Sequence, residues 1–376
     1  MRRHDANVSA VRALCVVGAR PNFMKVKPVL DALEQRGAET VLVHTEQHYD
    51  AAMSQVFFDE LGIRPPDRTL GVGSASHAEQ TAKVMVAFEP VVADVQPDVV
   101  VVVGDVNSTV ACALVAAKSG ALVAHVEAGL RSRDWSMPEE VNRVVTDRLS
   151  DFLLAPSPDA VVNLAAEGYP ADLVHLVGNV MIDTLLANLA RARDRGALAS
   201  HGVEKGQYGL ITLHRPANVD DPGVLAGLVR AFSRIGRETP LLFPVHPRTR
   251  AGLGPPPAGV RLIEPLGYLD FIALQDGAAL VLTDSGGVQE ETTALGVPCL
   301  TLRENTERPI TVSEGTNRVV GRDPAVVVAA ALGVLSSPPT ARRPALWDGR
   351  AASRIADALL EPPPAEGRRR PTDGRR

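Results

Sequence analysis

Short apolar runs rich in Val and Leu alternate along this chain with stretches whose apolar residues recur every three or four positions. The runs predict strands at Arg12–Val17, Thr40–His44, Asp98–Val103, Leu122–Val126, Phe152–Ala155 and Val174–Val177. A second series follows at Gly209–Leu213, Leu241–Val245, Val260–Ile263, Ala279–Thr283 and Pro298–Leu302. Helical periodicity falls between them, at Phe23–Arg36, Ser108–Lys118, Glu139–Leu149, Val224–Ile235 and Val288–Leu295 among others. Strands that are apolar at every position belong to parallel sheets covered on both faces. Alternation of β and α over this length predicts an α/β fold of doubly wound units.

The two series divide near Gly178-Asn179. Residues 1–178 are expected to form an N-terminal Rossmann-like domain, joined by a returning helix within 346–361, and residues 179–345 a C-terminal one that binds a nucleotide. The predicted fold class is two such domains around a cleft, with ligands at the carboxyl ends of the strands. The apolar block Ala325–Leu335 reads as a buried helix, far too short to span a membrane. Residues 362–376 are rich in Pro and Arg and read as a disordered tail.

Composition narrows the classes. The 376 residues are 45% hydrophobic and 22% charged, with a net charge of −5, so nothing points to nucleic acid or a membrane as partner. Cys15, Cys112 and Cys299 lie far apart in apolar runs, as small core residues do, and suit neither a disulfide framework nor a metal site. A cytoplasmic setting fits, and the polar start is unlike a signal segment.

Candidate chemistry gathers where strands end. After Thr283-Asp284, Ser285-Gly286-Gly287 opens a helix, and two glycines there let backbone N–H groups approach an anion. Glu291, a turn later, can accept hydrogen bonds from sugar hydroxyls; an ordinary strand-to-helix turn is the plain alternative. The first strand ends in Gly18-Ala19-Arg20-Pro21-Asn22-Phe23-Met24-Lys25. It has no Gly-x-Gly-x-x-Gly, and the second strand ends in His44 instead of an acid, which excludes a standard dinucleotide site. Arg20 and Lys25 can hold a diphosphate there, or be surface charge.

The third and fourth strands end in Gly104-Asp105 and His125-Val126-Glu127. As parallel neighbours they would bring Asp105 and Glu127 to one sheet edge, where paired carboxylates raise each other's proton affinity. Asp105 can instead cap the helix at Ser108. Pro138 opens a helix on which Glu139 and Arg143 share a face, either as a third carboxylate with a cation or as a plain i, i+4 ion pair. His214 and His246 end strands of the second series, where each can donate to a phosphate or serve a turn. Arg308 follows another strand near the same edge and is a further candidate to bind the nucleotide.

Taken together, these segments resemble the non-hydrolysing UDP-N-acetylglucosamine 2-epimerases. Gly18 to Lys25, Gln47-His-Tyr-Asp50, Gly104-Asp105, His125 to Arg131, Pro138 to Arg143, Gly178-Asn179, His214-Arg215, Thr283 to Glu291 and Thr306 to Pro309 appear in family order. The resemblance implies a B-type glycosyltransferase architecture, a homodimer, a UDP-sugar as the small-molecule partner, and no cofactor or metal. It places Arg20, His214, Ser285, Gly286, Gly287 and Glu291 at the nucleotide diphosphate and Phe271 at uracil. Lys25, Asp105, Glu127, Glu139 and Arg143 fall at the catalytic centre, where His214 also serves the leaving oxygen. Glu46 stands where the family often has Gly. Asp50 stands where many bacterial members carry a Gln that helps bind a second, activating UDP-GlcNAc. The form of the Gly18–Lys25 segment is also similar to that of epimerases of diacetamido-uronic acid sugars. No carbonyl acidifies the sugar C2–H, so inversion there is expected to proceed by loss and return of UDP.

Overall fold

The protein, described here by a computed structural model, is traced over residues 10–18, 20–46, 60–245, 247–253 and 256–361. The Arg20 side chain, the Gln47–Asp50 motif, His246 and the tail from 362 lie outside the described residues. The chain divides into two compact units. The first takes the described residues up to Val180 and from Arg350 on; the second takes Met181–Gly349.

Unit 1 holds a parallel sheet in the order β3-β2-β1-β4-β5-β6-β7. Its strands are β1 (Arg12–Val17), β2 (Glu39–His44), β3 (Arg68–Thr69), β4 (Val99–Val103), β5 (Leu122–Val126), β6 (Phe152–Ala155) and β7 (Val174–Leu176). β4 is five consecutive valines, all buried, so helices must cover both of its faces. Fully burying each such side chain is worth roughly 1.5–3 kcal/mol. The crossover helices are α1 (Arg20–Gln35), α2 (His77–Val95), α3 (Asn107–Ser119), α4 (Pro138–Leu149) and α5 (Pro158–Ala166). Their ends follow local chemistry. The Ser76 side chain accepts from the Glu79 N–H at the start of α2, Pro opens α4 and α5, and α3 stops at Gly120 in a left-handed conformation.

After α6 (Val180–Asp194), unit 2 builds a second parallel sheet in the order β10-β9-β8-β11-β12-β13. The strands are β8 (Gly209–Thr212), β9 (Leu241–Pro244), β10 (Val260–Ile263), β11 (Leu280–Thr283), β12 (Cys299–Thr301) and β13 (Asn317–Val319). Its longer helices are α7 (Pro222–Ile235), α8 (Tyr268–Gly277), α9 (Gly286–Leu295) and α10 (Pro324–Ser336). Asp221 and Asp323 cap α7 and α10 with the following proline at the first helical position. The Ala325–Leu335 block is not buried all round. Val327, Ala330 and Ala331 face the core at helical spacing, while Val326 is exposed. In unit 1, α11 (Ala351–Leu360) packs on α1, where Arg36 bonds Asp357 and Ser353.

Renumbered within each unit, the unit 2 sheet runs 3-2-1-4-5-6, the doubly wound Rossmann order, and the unit 1 sheet runs the same with a seventh strand added at the end. That order places a topological switch point between β1 and β4 in unit 1, and between β8 and β11 in unit 2. Cys15, Cys112 and Cys299 are free and buried, and burial pushes the Cys15 and Cys299 thiols up to about 12. Among the described residues no helix is long and apolar enough to cross a membrane.

Candidate active site

In unit 1 the site residues collect at the switch point. β4 pairs in parallel with both β1 and β5, with Val103 opposite Val126, so the Gly104–Asp105 and Glu127 turns leave the sheet at the same edge. Lys25, one turn into α1, is buried, and its Nζ lies 2.5 Å from Glu127 Oε2. Gly104 makes this possible. Its φ of +67° suits glycine, and a Cβ there would stand 3.1 Å from Lys25 Nζ and 3.8 Å from Glu127 Oε2.

Glu127 itself has φ +74°, a left-handed conformation that costs a non-glycine residue roughly 1–3 kcal/mol. The Leu154 carbonyl holds this turn by accepting from the Glu127 and Ala128 N–H groups. Glu127 is 5% exposed, and its Oε1 has no hydrogen-bond partner among the described residues. A buried carboxylate oxygen without a donor, on a strained turn, suits a proton-transfer site.

Asp105 takes a different cation. Arg143 Nη2 lies 2.5 Å from Asp105 Oδ2, and Nη1 contacts Glu140. Asn142 Nδ2 donates to the Asp105 carbonyl at 2.9 Å. Asp105 and Glu127 follow neighbouring strands at one sheet edge, and each carboxylate is met by its own buried cation. The expected Glu139–Arg143 pair is corrected, because Arg143 bonds Glu140. Glu140 turns inward since the Ser132 and Arg133 N–H groups point at its carboxylate, at 2.9 and 2.8 Å. Burial alone would raise the Glu140 carboxyl, but those two N–H groups and Arg143 hold it below its usual range. Glu139 stays half-buried with no ion pair among the described residues.

In unit 2 the corresponding switch point carries His214 after β8 and Ser285 after β11. Asp284 is fully buried. It accepts from the backbone N–H groups of His214 and Arg215 and from Asn218 Nδ2, and it meets His214 Nδ1 at 2.9 Å. Burial would raise its carboxyl, but the His214 imidazole and the Arg215 and Asn218 donors keep it low. The His214 side chain is 59% exposed, so with Nδ1 on Asp284 its Nε2 is available to a ligand.

Ser285 is the N-cap of α9 but makes no side-chain cap bond, leaving the first-turn N–H groups and the hydroxyl unspent on each other. Gly286 is required by close approach. A Cβ would come within 2.7 Å of Arg308 Nη1 and 2.8 Å of Glu307 Oε1. Arg308 is buried between Glu290 and Glu307, at 2.8 and 2.6 Å. Burial would raise Glu307, but Arg308 and then Arg303 hold it well below the carboxylate range. Arg308 thus sits beneath the glycine turn, committed to two carboxylates.

Glu291 is 3% exposed and receives the Tyr268 hydroxyl at 3.2 Å and Gln275 Nε2 at 3.3 Å. Burial pushes its carboxyl up to about 7 against the opposing pull of those two donors. Phe271 lies half-buried on α8, the helix that supplies both. Sequence reasoning assigned no role to Asp284, Glu140, Asn142, Tyr268 or Gln275. Asp284 carried a usable signal, since an acid closing an apolar strand must find buried donors.

Two Rossmann-like parallel sheets, each with polar groups at its switch point, define an α/β protein of the kind that holds ligands at strand ends. A family model described as UDP-N-acetylglucosamine 2-epimerase matches residues 31–360. A protein of that name from Methanocaldococcus jannaschii is 41% identical over 357 residues, covering 92% of this chain and 97% of its own. The UDP-2,3-diacetamido-2,3-dideoxy-D-glucuronate 2-epimerase of Pseudomonas aeruginosa is 40% identical over 360 residues, covering 93% of this chain and 100% of its own. The crystal structure of the Methanocaldococcus jannaschii enzyme with UDP-GlcNAc and UDP superimposes with a TM-score of 0.85, covering 93% of this chain and 99% of that one. The chain belongs to the UDP-N-acetylglucosamine 2-epimerase family, the non-hydrolysing isomerases.

Proposed function

We propose that this enzyme interconverts UDP-GlcNAc and UDP-ManNAc by inversion at C2, through elimination and re-addition of UDP. The observation that carries the reading is the buried, strained Glu127 with one oxygen unpartnered, one strand from Asp105. Family membership supplies the nucleotide sugar.

In unit 2, the Ser285–Gly287 turn and the start of α9 receive the diphosphate, with Nε2 of His214 as a further donor. Glu291 accepts from the ribose hydroxyls, and Phe271 lies against uracil. Arg308 supports the turn from below.

In unit 1, the C1–O bond breaks and its electron pair leaves with UDP. Positive charge grows at C1, so the C2 proton becomes removable. One of Asp105, Glu127 and Glu139 takes it, and the C2–H electrons form the C1=C2 bond of a 2-acetamidoglucal. UDP then adds back at C1 while another acid returns a proton to the opposite face of C2. A positioned acid or base contributes about 10²–10⁴-fold, and each well-placed donor to the departing charge about 3–4 kcal/mol. Lys25 and Arg143 hold the Glu127 and Asp105 carboxylates in position beside the sugar. The protein is proposed to act as a cytoplasmic homodimer supplying a cell-envelope polysaccharide precursor.

Proton NMR of an incubation with UDP-GlcNAc alone tests the reading. UDP-ManNAc should accumulate to a constant ratio with no acceptor added. Free ManNAc with UDP would point to hydrolysis, and an unchanged spectrum would contradict the reading. A second sugar has a specific observation behind it, the 40% identity over the whole length of the diacetamido-glucuronate enzyme. The corresponding UDP-diacetamido-uronic acid, run in parallel, decides between them by kcat/KM.

A further inference from the structure

Behind the strand ends of unit 1 lies a polar cluster whose inner pair has no contact with solvent. His125, on β5 two residues before Glu127, is 0% exposed, and so is Asp147 on α4. His125 Nδ1 lies 2.6 Å from Asp147 Oδ1, and His125 Nε2 lies 2.8 Å from the Gly104 carbonyl oxygen. Both ring nitrogens face acceptors, so both contacts are made when each nitrogen carries its proton. The second Asp147 oxygen accepts from the Gly129 N–H at 3.0 Å and meets Arg131 Nη1 at 2.8 Å. Arg131 in turn forms a two-pronged contact with Glu167, 2.7 Å on each prong.

Each contact has a definite address. Gly104 precedes Asp105. Gly129 closes the turn that forces Glu127 to φ +74°. Asp147 is on the helix that carries Glu139 and Arg143. A single buried imidazole–carboxylate pair therefore ties together the three segments that present the acid/base candidates. Burying polar groups of this kind is expensive unless each is paired and bonded, and a hydrophobic filler could hold the volume without that expense. What a filler cannot do is fix the direction of the Gly104 carbonyl and the Gly129 N–H at once.

We propose that His125 and Asp147 are positioning residues for the C2 chemistry: neither touches the sugar, and together they set the relative placement of Asp105, Glu127 and α4. The proposal rests on the epimerase reading above. It predicts that loosening the pair weakens turnover far more than nucleotide binding, because misplacement of about 1 Å can reduce a rate about 100-fold.

The test uses the full chain, with Asp147→Asn and His125→Gln compared with wild type. Epimerisation is followed by NMR, UDP affinity by calorimetry and folding by thermal denaturation. Expected for each folded variant are a kcat lower by about 10- to 100-fold, UDP affinity within about threefold, and a displaced pH–rate profile. A merely structural pair would lower Tm yet leave kcat and the pH profile of the folded enzyme unchanged, which would overturn the proposal. A kcat loss matched by an equal loss of UDP affinity would overturn it as well. Should Asp147→Asn not fold, His125→Gln carries the same readouts, and failure of both to fold would make the pair a folding element and reject the inference. A wild type that forms no epimer would show separately that the underlying reading fails, and the inference with it.

Discussion

The two switch points share a strand order and differ in chemistry. In unit 1 the strand ends carry ion pairs: Lys25 with Glu127, and Arg143 with Asp105 and Glu140. In unit 2 they carry backbone donors, the buried Asp284 tied to His214, and Glu291, which is held by neutral groups and pushed up to about 7. One topology therefore presents a charge-dense edge suited to moving protons and a dipolar edge suited to holding a nucleotide. The fold fixes where a ligand can go, and side chains beyond the strand ends decide what happens there.

The sharpest way to break this contrast is to neutralise the unit 1 carboxylates. Glu127→Gln and Asp105→Asn should each lower turnover at least about 100-fold while changing UDP affinity little. Steady-state kinetics with calorimetry checks this, and near-normal turnover in both variants would remove the proposed roles. The converse experiment acts on unit 2. Gly286→Ala drives a methyl group toward Arg308 and Glu307, and should weaken UDP binding by about tenfold, about 1.4 kcal/mol, with a smaller effect on turnover at saturation. Weaker turnover with unchanged UDP affinity would reverse the assignment of the two units.

A subtler difference concerns pH. On the proposed role of Glu291 as acceptor from the ribose hydroxyls, UDP affinity should fall as pH drops below about 7, and Glu291→Gln should flatten that dependence. Calorimetry from pH 8 to 6 reads it out, with equal slopes in both proteins as the contrary result. The same shift has a consequence for folding. The folded carboxyl sits above its ordinary 4.5, so its contribution to stability is full below that pH and is lost as pH rises through about 7. The smallest effect is expected at Gly104. Gly104→Ala must push against the Lys25 amine and adopt φ +67°, destabilising the chain by about 1 kcal/mol, visible as a lower Tm.

Much of this was legible in the sequence because the apolar pattern is strong. The Val99–Val103 run can be little else than a central parallel strand, and its neighbours then follow. β3 and β13 were not legible. Arg68–Thr69 is exposed and two residues long, and Asn317–Val319 carries an exposed Arg, so both are strands through pairing with a neighbour and not through their own composition. Among site residues, Glu127 and Asp105 could be found from their places at strand ends. Glu140 could not be told from Glu139, since the two stand side by side in the first turn of α4. Two N–H groups from the preceding loop decide which one turns inward. The raised carboxyl of Glu291 was equally hidden, because its partners come from α8, far away in sequence.

The central claim is proton exchange at C2 by the unit 1 carboxylates. The most direct test is NMR of the UDP-sugar pool during turnover in D2O. Deuterium should enter C2 as the epimers interconvert, and Glu127→Gln should slow its entry together with epimerisation. Epimerised sugar that keeps its original hydrogen at C2 would contradict the account.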